Sequence, residues 1–129
     1  VSFEEYSLRD PLGDGGRLPE SLLLESLFQL GNWLVVLSSD FRSMGLVIRL
    51  GRAEFLEAAG PGTRLDLDVT VRSWRDDGIL FDGRARARGR TIAAGEGCLA
   101  VPAPLERYED PEGLRTLFGE IHRPLEAAP

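Results

Sequence analysis

The sequence is poor in residues that would assign it to several common classes of protein. Its one cysteine, Cys98, cannot form a disulfide within the chain, so we expect a reducing, cytoplasmic environment. All fifteen basic residues are arginine, and the lack of lysine reflects genome composition more than function. The net charge of −6 argues against general nucleic-acid binding. Residues 1–10 alternate instead of showing a basic start followed by an apolar block, so no signal peptide is predicted.

The longest apolar stretch, residues 19–37, predicts one long and largely buried helix. Pro19 suits its first turn, where the missing N–H is no loss. The polar residues of this stretch recur at spacings of four, four and three, which puts them on one face: Ser21, Glu25, Gln29 and Asn32. These polar residues interrupt the run before it reaches membrane-spanning length, so no membrane segment is predicted. A helix that is apolar on its other sides must be covered by other elements.

After the helix, the sequence alternates between apolar and polar residues with the period of two that β-strands show. The predicted strands are residues 43–50, 63–74, 79–88 and 91–101, with a bend past Gly51 and a hairpin at Asp77-Gly78. An edge strand is predicted at residues 1–9, and a short helix at 110–121 with Asp110 as its N-cap. We interpret residues 1–129 as one α+β domain, an antiparallel sheet wrapped around one long central helix, with a loosely ordered tail at about 122–129.

The strand at 79–88 has two very different faces. One face carries small residues, which close packing against a bulky helix requires: Gly83, Ala85 and Ala87. The opposite face carries a basic strip: Arg84, Arg86 and Arg88. Two interpretations of the strip remain open, a solvated face with cross-strand partners such as Asp66 and Asp68, which we favour, and a docking patch for an acidic partner.

Two blocks of the sequence carry a resemblance to a known family. The helix combines Pro19, the aliphatic run 22–24, Glu25 and Gln29. The second block is Arg52-Ala53-Glu54-Phe55, then Gly60-Pro61-Gly62 and the strand at 65–71. In order and spacing, over roughly residues 1–101, these features resemble the hot-dog fold and, more narrowly, the β-hydroxyacyl-acyl-carrier-protein dehydratases of fatty-acid and polyketide synthesis.

The resemblance implies a site on the helix. In this family a histidine in the loop before the helix and a carboxylate on the helix act as base and acid, while the helix N-terminus polarises the thioester carbonyl. Glu25 occupies the carboxylate position and is the predicted catalytic residue. The predicted substrate-binding residues are its neighbours on the helix: Gln29, Leu22, Ser21 and Pro19. No metal or cofactor is predicted.

The loop before the helix lacks the family's histidine. Residues 10–16 stand where the family has Gly-His-Phe-Pro, and an ungapped count places Pro11 at the histidine position. Asp10 or Asp14 would be weak replacement bases, although loop aspartates are usually turn formers. The one histidine, His122, is expected to be a solvated residue near the C-terminus. Glu25 itself either faces solvent or occupies a largely dry site, where it would be suited to act as an acid.

Three functions therefore compete. The first, which we favour, is a dehydratase-like protein that acts on or binds 3-hydroxyacyl thioesters and works with a histidine-bearing partner subunit. The second is a hot-dog thioesterase that uses Glu25 alone. The third is a non-catalytic acyl-binding or scaffold subunit. The expected partners are an acyl thioester of acyl carrier protein or coenzyme A and a second hot-dog subunit, identical or not, with the acyl tunnel beside the helix at the dimer interface.

Overall fold

The computed structural model describes residues 17–60 and 62–122, and within them one helix lies against a five-stranded antiparallel sheet. The elements in chain order are α1 (Glu20–Ser38), β1 (Ser43–Arg49), β2 (Arg52–Phe55), β3 (Asp66–Arg75), β4 (Gly78–Ala87), β5 (Arg90–Pro104), a 3₁₀ turn (Leu105–Arg107) and α2 (Pro111–Ile121). The strand order is β1-β5-β4-β3, and β2 also pairs with β5. The strand predicted at 1–9, the loop at 10–16 and the tail beyond His122 lie outside the described residues.

The predicted elements are found within a few residues of their expected bounds. The change of phase past Gly51 separates β1 from β2, and the N–H of Gly51 bonds to the carbonyl oxygens of Glu96 and Gly97 on β5. The turn between β4 and β5 has positive φ at both central residues, 54° at Arg88 and 75° at Gly89, as a tight type I′ hairpin requires. The last strand, predicted to end at residue 101, instead continues to Pro104.

The central helix is less buried than its composition predicts. Of its 19 residues, the structure buries those on one side, facing the sheet, and one more near its C-terminus: Leu23, Leu27, Gly31, Val35 and Val36. Leu22 remains 36% exposed and Leu37 38%. The prediction of a helix covered on nearly every side was wrong for the described part of the chain, because the sheet of one chain reaches only one side of the cylinder.

Helix and sheet approach each other closely because glycines stand at the contacts. A Cβ added to Gly31 would lie 2.7 Å from Cζ of Phe81 on β4. A Cβ added to Gly83 would lie 3.2 Å from Cβ of Leu27, and one added to Gly95 3.3 Å from Cδ1 of Leu24. The small-residue face predicted for β4 is therefore the face on which α1 packs, and the space between the two layers is filled.

By length and composition alone, α1 also qualifies as a candidate membrane span, although its polar residues were expected to exclude one. The core helix of a globular protein passes the same test. The contacts of α1 with β1, β3, β4 and β5 are those of a core helix.

The close contact at Gly31 gives a direct test of this packing. We expect Gly31→Ala to be less stable than Gly119→Ala by about 1–3 kcal/mol, since overpacking a filled core has penalties of that order. Gly119 is also helical but has nothing within 4 Å of an added Cβ, so it shares the gain in helix propensity without the clash. Urea unfolding of both variants measures the difference, and equal free energies of unfolding would contradict the proposed contact.

Candidate functional site

Two of the predicted site residues contact each other on the exposed side of α1. Nε2 of Gln29 donates a hydrogen bond to Oε1 of Glu25 at 2.8 Å. The residues lie one helical turn apart, so the helix itself places the amide beside the carboxylate. The amide thus contacts one of the two carboxylate oxygens and favours this orientation of Glu25, with the small energy of an exposed pair one turn apart.

Of the two environments considered for Glu25, the described chain shows the one that faces solvent, since Glu25 and Gln29 are both exposed. Among the apolar neighbours that suggested a dry site, Leu23 is buried against the sheet, Leu24 and Phe28 are half-buried, and Leu22 is exposed. Within the described residues, Glu25 can become desolvated only if something further covers this side of α1.

The other predicted binding residues occupy the N-terminal turn of the same helix. Pro19 is the N-cap, and its carbonyl oxygen accepts hydrogen bonds from the N–H groups of Leu22 and Leu23. Ser21 and Leu22 are exposed, with Leu22 one turn before Glu25. The first N–H groups of any helix lack intrahelical acceptors, so this end can donate to a carbonyl oxygen.

Asn32 has a structural role that was not predicted from the sequence. Its Oδ1 accepts a hydrogen bond from the backbone N–H of Gly45 on β1 at 2.8 Å. This bond ties the polar line of α1 to the first strand. The signal in the sequence is weak, because an asparagine and a strand glycine thirteen residues apart form no recognisable motif.

At the far end of α1, an aromatic cluster joins the two helices. Phe118 of α2 lies 5.5 Å from the Trp33 ring and 6.3 Å from the Phe41 ring, measured between centroids. His122 stacks on Phe118 at 4.7 Å, so the histidine expected to be a solvated tail residue is exposed but in contact with an aromatic ring. Trp33 lies eight residues beyond Glu25, about 12 Å along a helix axis. This contact therefore gives His122 no place beside Glu25 within one chain.

The loop residues considered as replacement bases, Asp10 and Asp14, lie outside the described residues. A small cleft of about 130 Å³ at the N-terminus of α1 is lined by Arg17, Leu18, Glu20, Leu23, Phe55, Leu56, Glu57 and Ala58. A second, of about 180 Å³, is lined by Pro19 with Arg17, Leu18 and Glu20. Glu25 lines neither cleft, so we base the candidate site on the contacts of α1 and not on a cavity.

Two of the three arginines in the basic strip on the outer face of the sheet are paired with a carboxylate. Asp68 on β3 lies between two arginines of β4, 3.4 Å from Nε of Arg84 and 3.1 Å from Nη2 of Arg86. Arg72 lies 3.7 Å from Asp82, whose other oxygen accepts a 2.9 Å hydrogen bond from the N–H of Gly97. These pairs favour a solvated face with cross-strand partners over a docking patch for an acidic partner, and exposed pairs of this kind add little stability.

Cys98 is the free thiol of the described chain, and its environment makes it a poor nucleophile. It is 1% exposed within the cluster formed by Val35, Ile79, Phe81 and Ala100. Burial, and secondly the nearby charge of Asp82, raise the pKa of the Cys98 thiol from 9.0 to about 11. The reactive thiolate is therefore nearly absent at neutral pH, and covalent catalysis by this residue is not supported. No cluster of histidine, cysteine or acidic residues suited to a metal occurs in the described ranges.

Comparisons with known proteins agree with this architecture. No family model matches the chain. The 3-hydroxyacyl-[acyl-carrier-protein] dehydratase FabZ of Sorangium cellulosum (strain So ce56) is 38% identical over 82 residues, which cover 61% of this chain and 53% of the dehydratase. The chain thus spans about half the length of the curated relative that it matches.

Two solved structures share the fold. A gentisyl-coenzyme A thioesterase superposes with a TM-score of 0.58 at 12% identity, covering 70% of this chain and 78% of the other. A thioesterase from Thermus thermophilus, complexed with coenzyme A and zinc, gives a TM-score of 0.57 at 21% identity, covering 81% and 86%. The chain has the hot-dog fold, as predicted, with dehydratase-like and thioesterase-like neighbours.

The buried thiol predicts a specific loss of stability at alkaline pH. Between pH 9 and about 11 the unfolded thiol has released its proton while the folded thiol retains it, so stability falls as pH rises through this window. The loss attributable to Cys98 is on the order of 2 kcal/mol. Urea unfolding of the natural chain and Cys98→Ala across this range isolates the effect, because other titrating groups are common to both. If the free energy of unfolding changed with pH in the same way for both proteins, burial would not be raising the pKa of the Cys98 thiol.

Proposed function

We propose that this protein binds 3-hydroxyacyl thioesters at the exposed side of α1, in a dehydratase-like site in which Glu25 serves as the acid. The observation that carries the proposal is the 2.8 Å hydrogen bond from Gln29 to Glu25, which orients a carboxylate five residues, or about 7.5 Å along the axis, from the first residue of the helix. A thioester carbonyl oxygen at the N-terminus of α1 would accept hydrogen bonds from its free N–H groups. The protonated carboxyl of Glu25 would give a proton to the departing 3-hydroxyl.

The missing base leads us to include a partner in the proposal. Dehydration also needs a group that removes the α-proton, and the loop before α1 carries no histidine. We propose that a second hot-dog subunit, bearing a histidine, covers the exposed side of α1 and completes the site. Such a subunit would also exclude water from Leu22, Glu25 and Gln29, as the proposed role of Glu25 as a general acid requires. A cytoplasmic location stays a prediction from the single thiol.

A thioesterase is the second candidate, because Glu25 is exposed and already oriented without a histidine. In that reaction Glu25 would act as base for a water molecule, or as nucleophile, at a carbonyl held by the helix N-terminus. Both structural neighbours above bear the name thioesterase, which supports considering this chemistry but is a likeness of fold alone.

The two reactions leave different products from one substrate. We would incubate the purified protein with a 3-hydroxyacyl-coenzyme A and follow enoyl formation and free thiol in parallel. Replacement by Glu25→Gln is expected to abolish whichever product appears, because the amide cannot exchange a proton. Glu120→Gln, an exposed carboxylate on α2, is the matched control and should leave the rate unchanged.

Each outcome separates the candidates. Enoyl product lost in Glu25→Gln supports a dehydratase that needs no loop histidine, and free thiol lost in the same variant supports the thioesterase. If neither product forms, binding of the thioester measured by calorimetry distinguishes a subunit that awaits a partner from a protein that does not bind acyl thioesters. Absence of binding would contradict the proposed function.

A further inference from the structure

One face of α1 connects the proposed site to the second helix. Glu25, Gln29, Trp33 and Val36 follow at spacings of four, four and three, which keeps them on one face. Near its N-terminal end the face is open, since Glu25 and Gln29 are exposed. Near its C-terminal end it is closed, since Val36 has no exposed surface. The change occurs at Trp33, where α2 begins to cover the face.

An acyl chain bound at Glu25 cannot pass beneath the helix. The layer between α1 and the sheet is filled by Leu27 against Gly83 and by Phe81 against Gly31, and both contacts are so close that even an added methyl group would force a neighbour to shift. The open side of α1, which runs from Glu25 toward Trp33, is the path that remains on the described helix. The apolar residues on this face are the half-buried Trp33 at its end and the exposed Leu22, which lies one turn before Glu25.

The closure at Trp33 is held in place from several directions. Phe118 packs on Trp33 and Phe41, and the guanidinium of Arg115 lies 4.3 Å above the Phe41 ring. Nη1 of Arg115 also donates to Oδ1 of Asp40 at 3.2 Å. Asp40 and Phe41 both have left-handed backbone angles, with φ of 53° and 61°, which side chains rarely adopt without support. The turn after α1 and the helix α2 therefore stabilise each other.

We propose that the contact between Trp33 and Phe118 is the end wall of the acyl path and sets the longest acyl chain that the site accepts. The inference rests on the proposed function, since it requires an acyl thioester bound beside Glu25. From Glu25 to Trp33 the helix advances about 12 Å. An extended hydrocarbon advances roughly 1.3 Å per carbon with C–C bonds of about 1.5 Å. About nine carbons beyond the carbon beside Glu25 therefore fit before the end wall.

The wall belongs to this chain and not to the dehydratase pattern. The sequence resemblance extends over roughly residues 1–101, and α2 begins at Pro111, beyond it. Phe118 is thus a specificity-determining residue and not a catalytic one. It acts on the far end of the acyl chain, so its removal should alter which chain is preferred and leave the chemistry at Glu25 alone.

The test is a profile of affinity against acyl length, measured on the full chain. Butanoyl-, octanoyl-, dodecanoyl- and hexadecanoyl-coenzyme A would be titrated by calorimetry into the natural protein, Phe118→Ala and Phe118→Leu. Leu117→Ala is the matched control, because Leu117 is the adjacent residue on α2 and 44% exposed. The leucine variant keeps an apolar cover over Trp33, so the test stands even if the alanine variant does not fold. Thermal unfolding reports whether each variant is folded.

We expect the natural protein to bind octanoyl better than hexadecanoyl, and the Phe118 variants to raise the ratio of hexadecanoyl to octanoyl affinity by roughly tenfold or more. Each additional methylene that becomes buried contributes roughly fourfold to affinity. Leu117→Ala should keep the natural profile. Binding with an unchanged profile in both Phe118 variants would overturn the inference and leave the proposed function intact. Binding of no acyl chain by the natural protein would contradict the proposed function, and this inference with it.

Discussion

The close approach of α1 to β4 and β5 is the constraint on which the rest of the structure depends. It exists because glycine stands on one side of each contact: Gly31 opposite Phe81, Gly83 opposite Leu27, and Gly95 opposite Leu24. These contacts determine which residues of α1 face the sheet. Because a helix has a constant 3.6 residues per turn, they also determine which residues face away from it. Glu25 and Gln29 therefore face away from the sheet as a consequence of packing on the opposite side.

The exposed side of α1 connects the fold to the proposed chemistry. The sheet formed by the described residues covers one side of the helix and leaves Glu25 exposed on the other. A partner that covers this side would supply both the dry environment and the missing base. In our proposal the same partner accounts for both the missing loop histidine and the apolar residues, such as Leu22, that are exposed in the described chain.

The two ends of this exposed side have different functions in our proposal. Its N-terminal end offers free N–H groups and an oriented carboxylate for the thioester, while its C-terminal end is closed by α2 through Trp33 and Phe118. Asn32, bonded to Gly45 of β1, holds the helix between these two ends. Chemistry and chain-length selection would then lie on one helix face and could be altered independently by substitution.

The sequence by itself determined the secondary structure, the fold class and the candidate carboxylate. The alternation of β4, the apolar run of α1 and the cap at Asp110 are local signals, and local signals can be read from neighbouring residues. The hydrogen bond between Glu25 and Gln29 was also predictable, since a helix brings residues four apart together.

Only the tertiary structure decided which side of α1 the sheet covers, the partner of Asn32 and the closure of the helix face by Phe118. Each of these joins residues from separate elements: Asn32 meets a strand glycine, and Phe118 meets a helix that ended about eighty residues earlier. No spacing rule relates such residues. Their contacts follow from how whole elements pack, which depends on the summed shape of both surfaces and not on either sequence alone.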